Sequence, residues 1–254
     1  MQLSFGVRRL TNLSTDMTWY VQLSGDPHEI EALSHSINGP DTAVVREGAD
    51  YFLTISDMPP DADVQSVVDR GGRIVEVMNG AARLALDARQ PLRIESVHRR
   101  NANGGRDIFV FPEPAVVHVR AFAPTLTVTR ADGSVEVSRS ADPVADWTRL
   151  ATSDEAVANA LRLFGNGELD WVNLYRVFEI VCADAGGIGK ITSNGWSTKQ
   201  SIALFKHTAN SPGALGLDAR HGAESTAPPS KPMTISEARA LVRAIVHAWL
   251  RSKT

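Results

Sequence analysis

Three side chains that suit acid–base chemistry on a phosphate lie close together in a long polar loop near the C-terminus. They are Asp218, Arg220 and His221, and the loop precedes the last helical pattern of the chain. Histidine moves a proton near neutral pH, and arginine stabilises the negative charge that develops on a phosphodiester during cleavage. Loops longer than about 12 residues in compact proteins, such as this one, are usually functional or disordered. We therefore predict a catalytic group in which Asp218 orients Arg220 or His221.

The same loop also has an interpretation in which it performs no chemistry. Asp218 and Arg220 would then form a structural ion pair, and His221 would pack over the loop. Structural ion pairs often imitate functional sites, so the residue types alone leave both interpretations open.

Three polar residues on a preceding helical pattern could support the catalytic group. Asn173, Arg176 and Glu179 recur every three residues, which places them on one side of a helix. From that side they could face the loop of His221 and act as supporting residues of the site. The alternative is a solvent-exposed polar face on which the arginine and the glutamate pair three residues apart.

The last helical pattern carries a basic stripe. Arg239, Arg243, His247 and Arg251 follow one another at steps of four residues, beside the apolar face of the helix. Arg239, Arg243 and His247 could track a phosphate backbone and form a nucleic-acid-binding surface. A solvated helix face is the alternative, because no aromatic residue interleaves the stripe as in single-strand binders.

The sequence gives no indication of a metal ion or a cofactor. The seven histidines show no H-E-x-x-H or similar ligand spacing, and one cysteine excludes a cysteine-rich zinc site. The glycine-rich stretch at 186–192 lacks the spacing of a phosphate-binding loop. We therefore expect no metal and no cofactor.

The first half of the sequence predicts short strands around one long helix. Strands are predicted at 17–23, 43–46, 51–55, 92–98, 107–111, 116–122, 126–129 and 135–138, and helices at 28–37 and from 61 to about 86. Gly71 and Gly72 lie inside the long helix and could bend it, since each costs about 1 kcal/mol relative to alanine. We predict an α+β N-terminal domain over residues 1–141, with a β-meander in its second part.

The pattern becomes helical from Pro143 to the end. Helices are predicted after Ser153, over 168–185, over about 197–208 and over 234–253. Thr234 and Glu237 form a T-x-x-E capping box that marks the start of the last helix. The fold class is therefore α+β, with a C-terminal four-helix bundle over residues 142–254.

Composition restricts the class of protein further. The chain has 254 residues, 43% of them hydrophobic and 22% charged, with a formal net charge of −3. This balance is typical of a globular protein and provides no overall attraction to nucleic acid. No apolar run has the length of a signal-peptide core or a membrane span, so we expect a cytoplasmic protein that does not contact a membrane.

The C-terminal half resembles the HEPN domains, especially those of bacterial abortive-infection proteins. The resemblance covers residues 142–254 and depends on three features: the helical bundle, the polar loop ending in Ala219-Arg220-His221-Gly222, and the last helix ending in Ala248-Trp249-Leu250. It implies a metal-independent ribonuclease site that two protomers form across a dimer interface. His221 matches the family histidine by its place before the last helix. The family arginine lies several positions before the histidine, whereas positions 215–217 hold none and Arg220 is adjacent.

Two hypotheses follow from the residues and the resemblance together. The first is a cytoplasmic defence or toxin-type homodimer whose bundle acts on RNA as an endoribonuclease, with an N-terminal domain that binds an unknown ligand or protein. The second is a non-catalytic module with a degenerate HEPN-like bundle that binds nucleic acid or protein.

Overall fold

The computed structural model describes residues 19–88, 90–101, 105–110, 128–129, 135–136, 143–165, 168–223 and 227–254. These residues form a mixed α+β structure, as predicted. A five-stranded antiparallel sheet is covered on one face by helices, and a further helical layer follows along the chain.

The larger sheet has the strand order β2-β3-β1-β4-β5, and a smaller sheet pairs β6 with β7. The strands are β1 (Trp19–Ser24), β2 (Thr42–Glu47), β3 (Asp50–Ile55), β4 (Arg93–Arg100), β5 (Arg106–Val110), β6 (Val128–Thr129) and β7 (Val135–Glu136). The hairpins β2-β3 and β4-β5 flank β1, which occupies the central position. The five larger strands are close to their predicted positions, and the strand predicted at 116–122 lies outside the described residues.

The helices in the described part of the chain are α1 (Pro27–Ser36), α2 (Val64–Leu86), α3 (Pro143–Leu150), α4 (Glu155–Gly165), α5 (Trp171–Asp184), α6 (Ile188–Ser193), α7 (Lys199–Ala209), α8 (Pro212–Leu215) and α9 (Ile235–Arg251). The predicted helices correspond to α1, α2, α4, α5, α7 and α9. The short helices α3, α6 and α8 were not predicted separately, because two turns or fewer give little periodic signal.

Helix α2 lies across the sheet and runs without interruption through Gly71 and Gly72. The glycine pair, which could bend or break the helix, therefore does not interrupt it. A Cβ atom on Gly71 would stand 3.2 Å from Cγ2 of Val21, so the missing side chain allows the helix to approach β1 closely. Packing against the sheet thus compensates for the low helix propensity of glycine.

Helices α2 and α4 approach each other even more closely. A Cβ atom on Gly80 would stand 1.9 Å from the carbonyl oxygen of Leu161, and one on Gly165 would stand 2.6 Å from that of Glu76. Both distances are far below a van der Waals contact. Glycine at these positions is therefore what allows the two helices to cross backbone to backbone.

Helix α5 contacts α4, α7 and α9. The apolar residues of these helices belong to the same continuous core as those of the sheet, α1 and α2. The capping box is confirmed, because the Glu237 backbone N–H donates to Thr234 Oγ1 at 3.2 Å and the Thr234 N–H donates to Glu237 Oε2 at 2.8 Å. The start of α9 is thereby fixed.

Candidate functional site

The loop that carries the predicted catalytic group is attached at both ends to the C-terminal turn of α7. The backbone N–H of Arg220 donates to the carbonyl of Ala209 at 2.8 Å. Near the end of the loop, the N–H of Met233 donates to Oγ1 of the buried Thr208 at 3.0 Å. At the start of the loop, before Arg220, the side chain of Ser211 caps α8. The loop therefore presents Arg220 and His221 from a fixed base.

The side chain of Arg220 is held by an ion pair and by an aromatic ring. Its Nη2 donates to Oε1 of Glu179 at 3.1 Å. Its guanidinium carbon lies 4.3 Å from the ring centroid of Tyr175, a cation–π distance. Tyr175 is itself buried and stacks on Phe205 at 5.7 Å. Helix α5 thus supplies both contacts, one turn apart.

His221 is exposed and lies beside Arg220. Its Nε2 is 3.3 Å from Nη1 of Arg220. Because the guanidinium can only donate, Nε2 must be the unprotonated nitrogen that accepts. In this arrangement the lone pair of Nε2 is directed at the guanidinium, so the imidazole could act as a general base only when Arg220 turns to another acceptor, such as a phosphate oxygen.

Of the other predicted members of the site, Asp218, Asn173 and Arg176 make no hydrogen-bonded or ionic contact with this pair among the described residues, whereas Glu179 does. Asp218 is exposed, and within the described residues no hydrogen bond or ion pair joins it to Arg220 or His221. Nδ2 of Asn173 donates to the carbonyl of Glu168 at 3.2 Å, before the start of α5. Arg176 is exposed. Of the three predicted supporting residues, Glu179 alone contacts Arg220 or His221.

The arrangement can bind an anion and move a proton at one point of the surface. Glu179 occupies one amino group of Arg220, and other N–H donors of the guanidinium remain for a phosphate oxygen. Tyr175 lies beneath the guanidinium and restricts its orientation. A polyanion arriving from solvent would meet a positioned cation and an imidazole together.

The predicted basic stripe of α9 lies against the C-terminal end of α2. Nη1 of Arg243 donates to Asp87 at 2.6 Å, and its Nη2 donates to the carbonyl of Leu84 at 2.8 Å. Nε2 of His247 lies 3.0 Å from the same carbonyl. Nε of Arg239 donates to the carbonyl of Leu169 at 2.9 Å. Arg243 and His247 therefore cap the C-terminal end of α2 from partly buried positions.

A third polar group lies on the sheet face opposite α2. Ser96 Oγ donates to Oε1 of Gln22 at 2.6 Å and lies 2.8 Å from Nε2 of His98. As the Gln22 amide is oriented, the histidine must donate to the serine. Burial, followed by the charge of Arg106, lowers the pKa of His98. The serine proton is directed away from the imidazole, so the geometry does not activate Ser96 as a nucleophile.

Within the ranges that the structure describes, no three His, Cys, Asp or Glu side chains are grouped so that they could hold a metal ion. Over the same ranges, none of the helices has the length and apolarity needed to cross a bilayer.

Comparison of the chain with models of protein families, with curated proteins and with solved structures found no match. The geometry and chemistry of the site are therefore the basis of its interpretation.

Tyr175 is a site residue whose place in the apolar pattern of α5 indicates only a core position. It precedes Glu179 by four residues, a spacing that puts both side chains on one face of α5. That spacing was the available signal. It does not reveal which arginine would lie over the ring, because Arg220 is distant in sequence.

Proposed function

We propose that this protein is a HEPN-like, defence or toxin-type endoribonuclease that acts as a homodimer in the cytoplasm. Its bundle would consist of α4, α5, α7 and α9 within residues 142–254, after an N-terminal α+β domain with a β-meander that binds an unknown ligand or protein. The contacts of α5 with α4, α7 and α9 support this architecture. No metal or cofactor takes part in the proposed reaction.

The observation that carries the proposal is the adjacent, surface-facing placement of Arg220 and His221. In the proposed reaction, neutral His221 takes the proton of an RNA 2′-hydroxyl, and the 2′-oxygen attacks the neighbouring phosphorus. Arg220 stabilises the charge on the phosphorane. The bond to the 5′-oxygen then breaks, which leaves a 2′,3′-cyclic phosphate, and a protonated imidazole returns the proton to the leaving oxygen. A second protomer would supply a second Arg220 and His221.

The test is cleavage of a labelled RNA by the purified protein in the presence of EDTA. His221→Ala is expected to lower the rate by about 10²- to 10⁴-fold, the usual contribution of a general acid or base. Arg220→Ala should lower it comparably, because the phosphorane charge loses its partner. Arg149→Ala, an exposed arginine of α3, is the matched control and should cleave at the wild-type rate.

Two outcomes contradict the nuclease proposal. One is equal cleavage by wild type and His221→Ala. The other is the absence of cleavage by a folded wild-type dimer over a broad set of RNAs.

A non-catalytic interaction module is the second candidate function, and two observations favour it. Glu179 already pairs with Arg220, and Leu217 is fully exposed beside the same loop. In this candidate, a contact between two copies of the chain would cover Leu217. The interaction module replaces the nuclease as the favoured function if sedimentation shows that Leu217→Asp abolishes dimerisation and if neither the wild type nor any variant cleaves RNA.

A further inference from the structure

Two neighbouring cavities meet at the C-terminal half of α2. The larger, of about 660 Å³, lies between α1, α2 and the start of β4, and its apolar lining includes Leu33, Val68, Val75, Leu92 and Ile94. The smaller, of about 540 Å³, lies between α2, the end of α4 and α9. Arg83 and Glu168 line both cavities. The larger cavity is mostly apolar, although the charged residues Glu29, Glu76 and Arg93 also line it, and it adjoins the charged smaller cavity at Arg83 and Glu168.

Three arginines line the smaller cavity, namely Arg83, Arg239 and Arg243. Each donates to a backbone carbonyl: Arg83 to that of Phe164 at 3.1 Å, Arg239 to that of Leu169 at 2.9 Å, and Arg243 to that of Leu84 at 2.8 Å. These carbonyls help to fix the positions of the guanidinium groups, and Arg243 also forms an ion pair with Asp87 at 2.6 Å. The three cations are therefore oriented by the backbone.

The charge balance of the smaller cavity favours an anion. Of its described lining residues, Asp87 and Glu168 are the carboxylates that oppose the three guanidinium groups, which leaves one net positive charge. Burial, followed by the charge of Arg239, lowers the pKa of Arg83. Both effects show that the cations interact in a partly desolvated place, where an added anion would relieve their repulsion.

Arg239 provides the donors for such an anion. Its Nε is used by Leu169, whereas its Nη1 and Nη2 have no hydrogen-bond partner among the described residues. A planar guanidinium with both amino groups available suits two oxygens of a phosphate. By contrast, the Nη2 atom of Arg243 and Nε2 of His247 donate to a carbonyl of α2.

We propose that the two cavities form one binding site for a small organic phosphate. The phosphate lies between Arg83, Arg239 and Arg243, and the apolar part of the ligand occupies the larger cavity. Both volumes are within the range of sites for small molecules. The site does not involve Arg220 or His221, so its existence is independent of the nuclease proposal.

Calorimetric titration of the full chain in chloride buffer tests the phosphate end, with inorganic phosphate and phenyl phosphate as probes. Wild type is expected to bind phenyl phosphate more tightly than inorganic phosphate. Arg239→Gln should weaken both by about tenfold or more, the loss of one charge-assisted hydrogen bond. Arg149→Gln on α3 is the matched control and should leave both affinities unchanged.

A second variant tests the apolar end of the site. Gly72 lines the larger cavity, and a Cβ atom there would meet no atom within 4 Å. Gly72→Leu should fill the cavity and remove the preference for phenyl phosphate, while the affinity for inorganic phosphate is retained.

The proposal is overturned if wild type binds neither probe at millimolar concentration, or if Arg239→Gln binds both as wild type does. Binding of phenyl phosphate that Gly72→Leu leaves unchanged overturns the assignment of the larger cavity. Unchanged RNA cleavage by Arg239→Gln would show that the two sites act separately.

Discussion

The side chain of Arg220 is positioned by two residues that are distant from it in the sequence. Its charge meets Glu179 and its guanidinium plane meets Tyr175, both on α5. A cation–π contact at a partly exposed site contributes about 0.5–1 kcal/mol. An exposed ion pair contributes about as much at most. Together they fix the orientation of the guanidinium, which matters more for binding a phosphate than for stability.

Lys253, near the C-terminus, is held between two carboxylates. Its Nζ lies 2.7 Å from Oδ2 of Asp154 and 2.7 Å from Oδ2 of Asp184, and Asp184 also accepts from Nε1 of Trp249. Burial is the largest single influence on Asp154 and opposes its ionisation. The hydrogen bond and charge of Lys253, together with hydrogen bonds from the backbone N–H groups of Val157 and Ala156, outweigh burial and hold the pKa of Asp154 below its ordinary value of 3.8. The ammonium therefore stabilises two carboxylates on two helices.

Lys253→Met is expected to lower the free energy of unfolding by about 1–2 kcal/mol at pH 7, because two partly buried carboxylates lose their cation. The pKa of Asp154 is lower in the folded state, so its contribution is present above about pH 4 and is lost as the pH falls through the folded pKa. Urea unfolding from pH 7 to pH 3 should show the two proteins converging in acid. Lys190→Met, an exposed lysine of α6, is the control. A difference that stays constant with pH would contradict this explanation.

At the scale of elements, α2 connects the sheet to the helical layer. Gly71 lets it approach β1, and Gly80 lets it cross α4. Asn79, between these contacts, is buried and exchanges two hydrogen bonds with the backbone of Leu92 at 3.0 and 2.8 Å. The helix is therefore fixed on the sheet side, at the entrance to β4, and on the α4 side.

Alanine substitution of two glycines in α2 should have opposite effects. Gly80→Ala places a Cβ atom against the carbonyl of Leu161, and overpacking of this kind costs about 3 kcal/mol. Gly72→Ala meets no atom within 4 Å, so the helix propensity of alanine should raise the free energy of unfolding by about 0.5–1 kcal/mol. Denaturant unfolding of both variants measures the contrast. Equal effects of the two substitutions would show that the close crossing is not a stability determinant.

In the whole molecule, one continuous apolar core joins the sheet to the helices. Val21 of β1, Met78 of α2, Leu161 of α4 and Trp249 of α9 are all buried in it. Arg243 and His247 add polar contacts between α9 and the end of α2. The core therefore spans the boundary between residues 1–141 and residues 142–254 that the change of periodicity predicted.

A fragment of residues 142–254 is expected to unfold at a lower temperature than the full chain. It would expose the surface of α4 that α2 covers, and burial of apolar surface stabilises by about 25 cal/mol per Å². Calorimetry of the full chain should give one transition. Two separate transitions, with the fragment as stable as the intact protein, would show that the halves are energetically independent domains.

Much of the candidate site could be located from the sequence, but its connections could not. The loop and its pair Arg220 and His221 were recognisable from residue types and from the helix that follows. The partner of Arg220 was expected to be Asp218, two residues away, and is Glu179 on another helix. The side of α5 that carries Glu179 was predictable from helical spacing, whereas the loop that lies over it was not.

The sequence by itself determined the α+β class, the strands of the larger sheet, the long helices and the cap at Thr234, because periodicity and capping act within a few residues. The tertiary structure decided which element packs against each face of a helix. It directed Arg243 and His247 toward α2, placed Gly80 against α4 and brought Arg220 over Tyr175. Helical spacing defines a face but not its neighbour, and the neighbour depends on contacts between residues that are far apart in the chain.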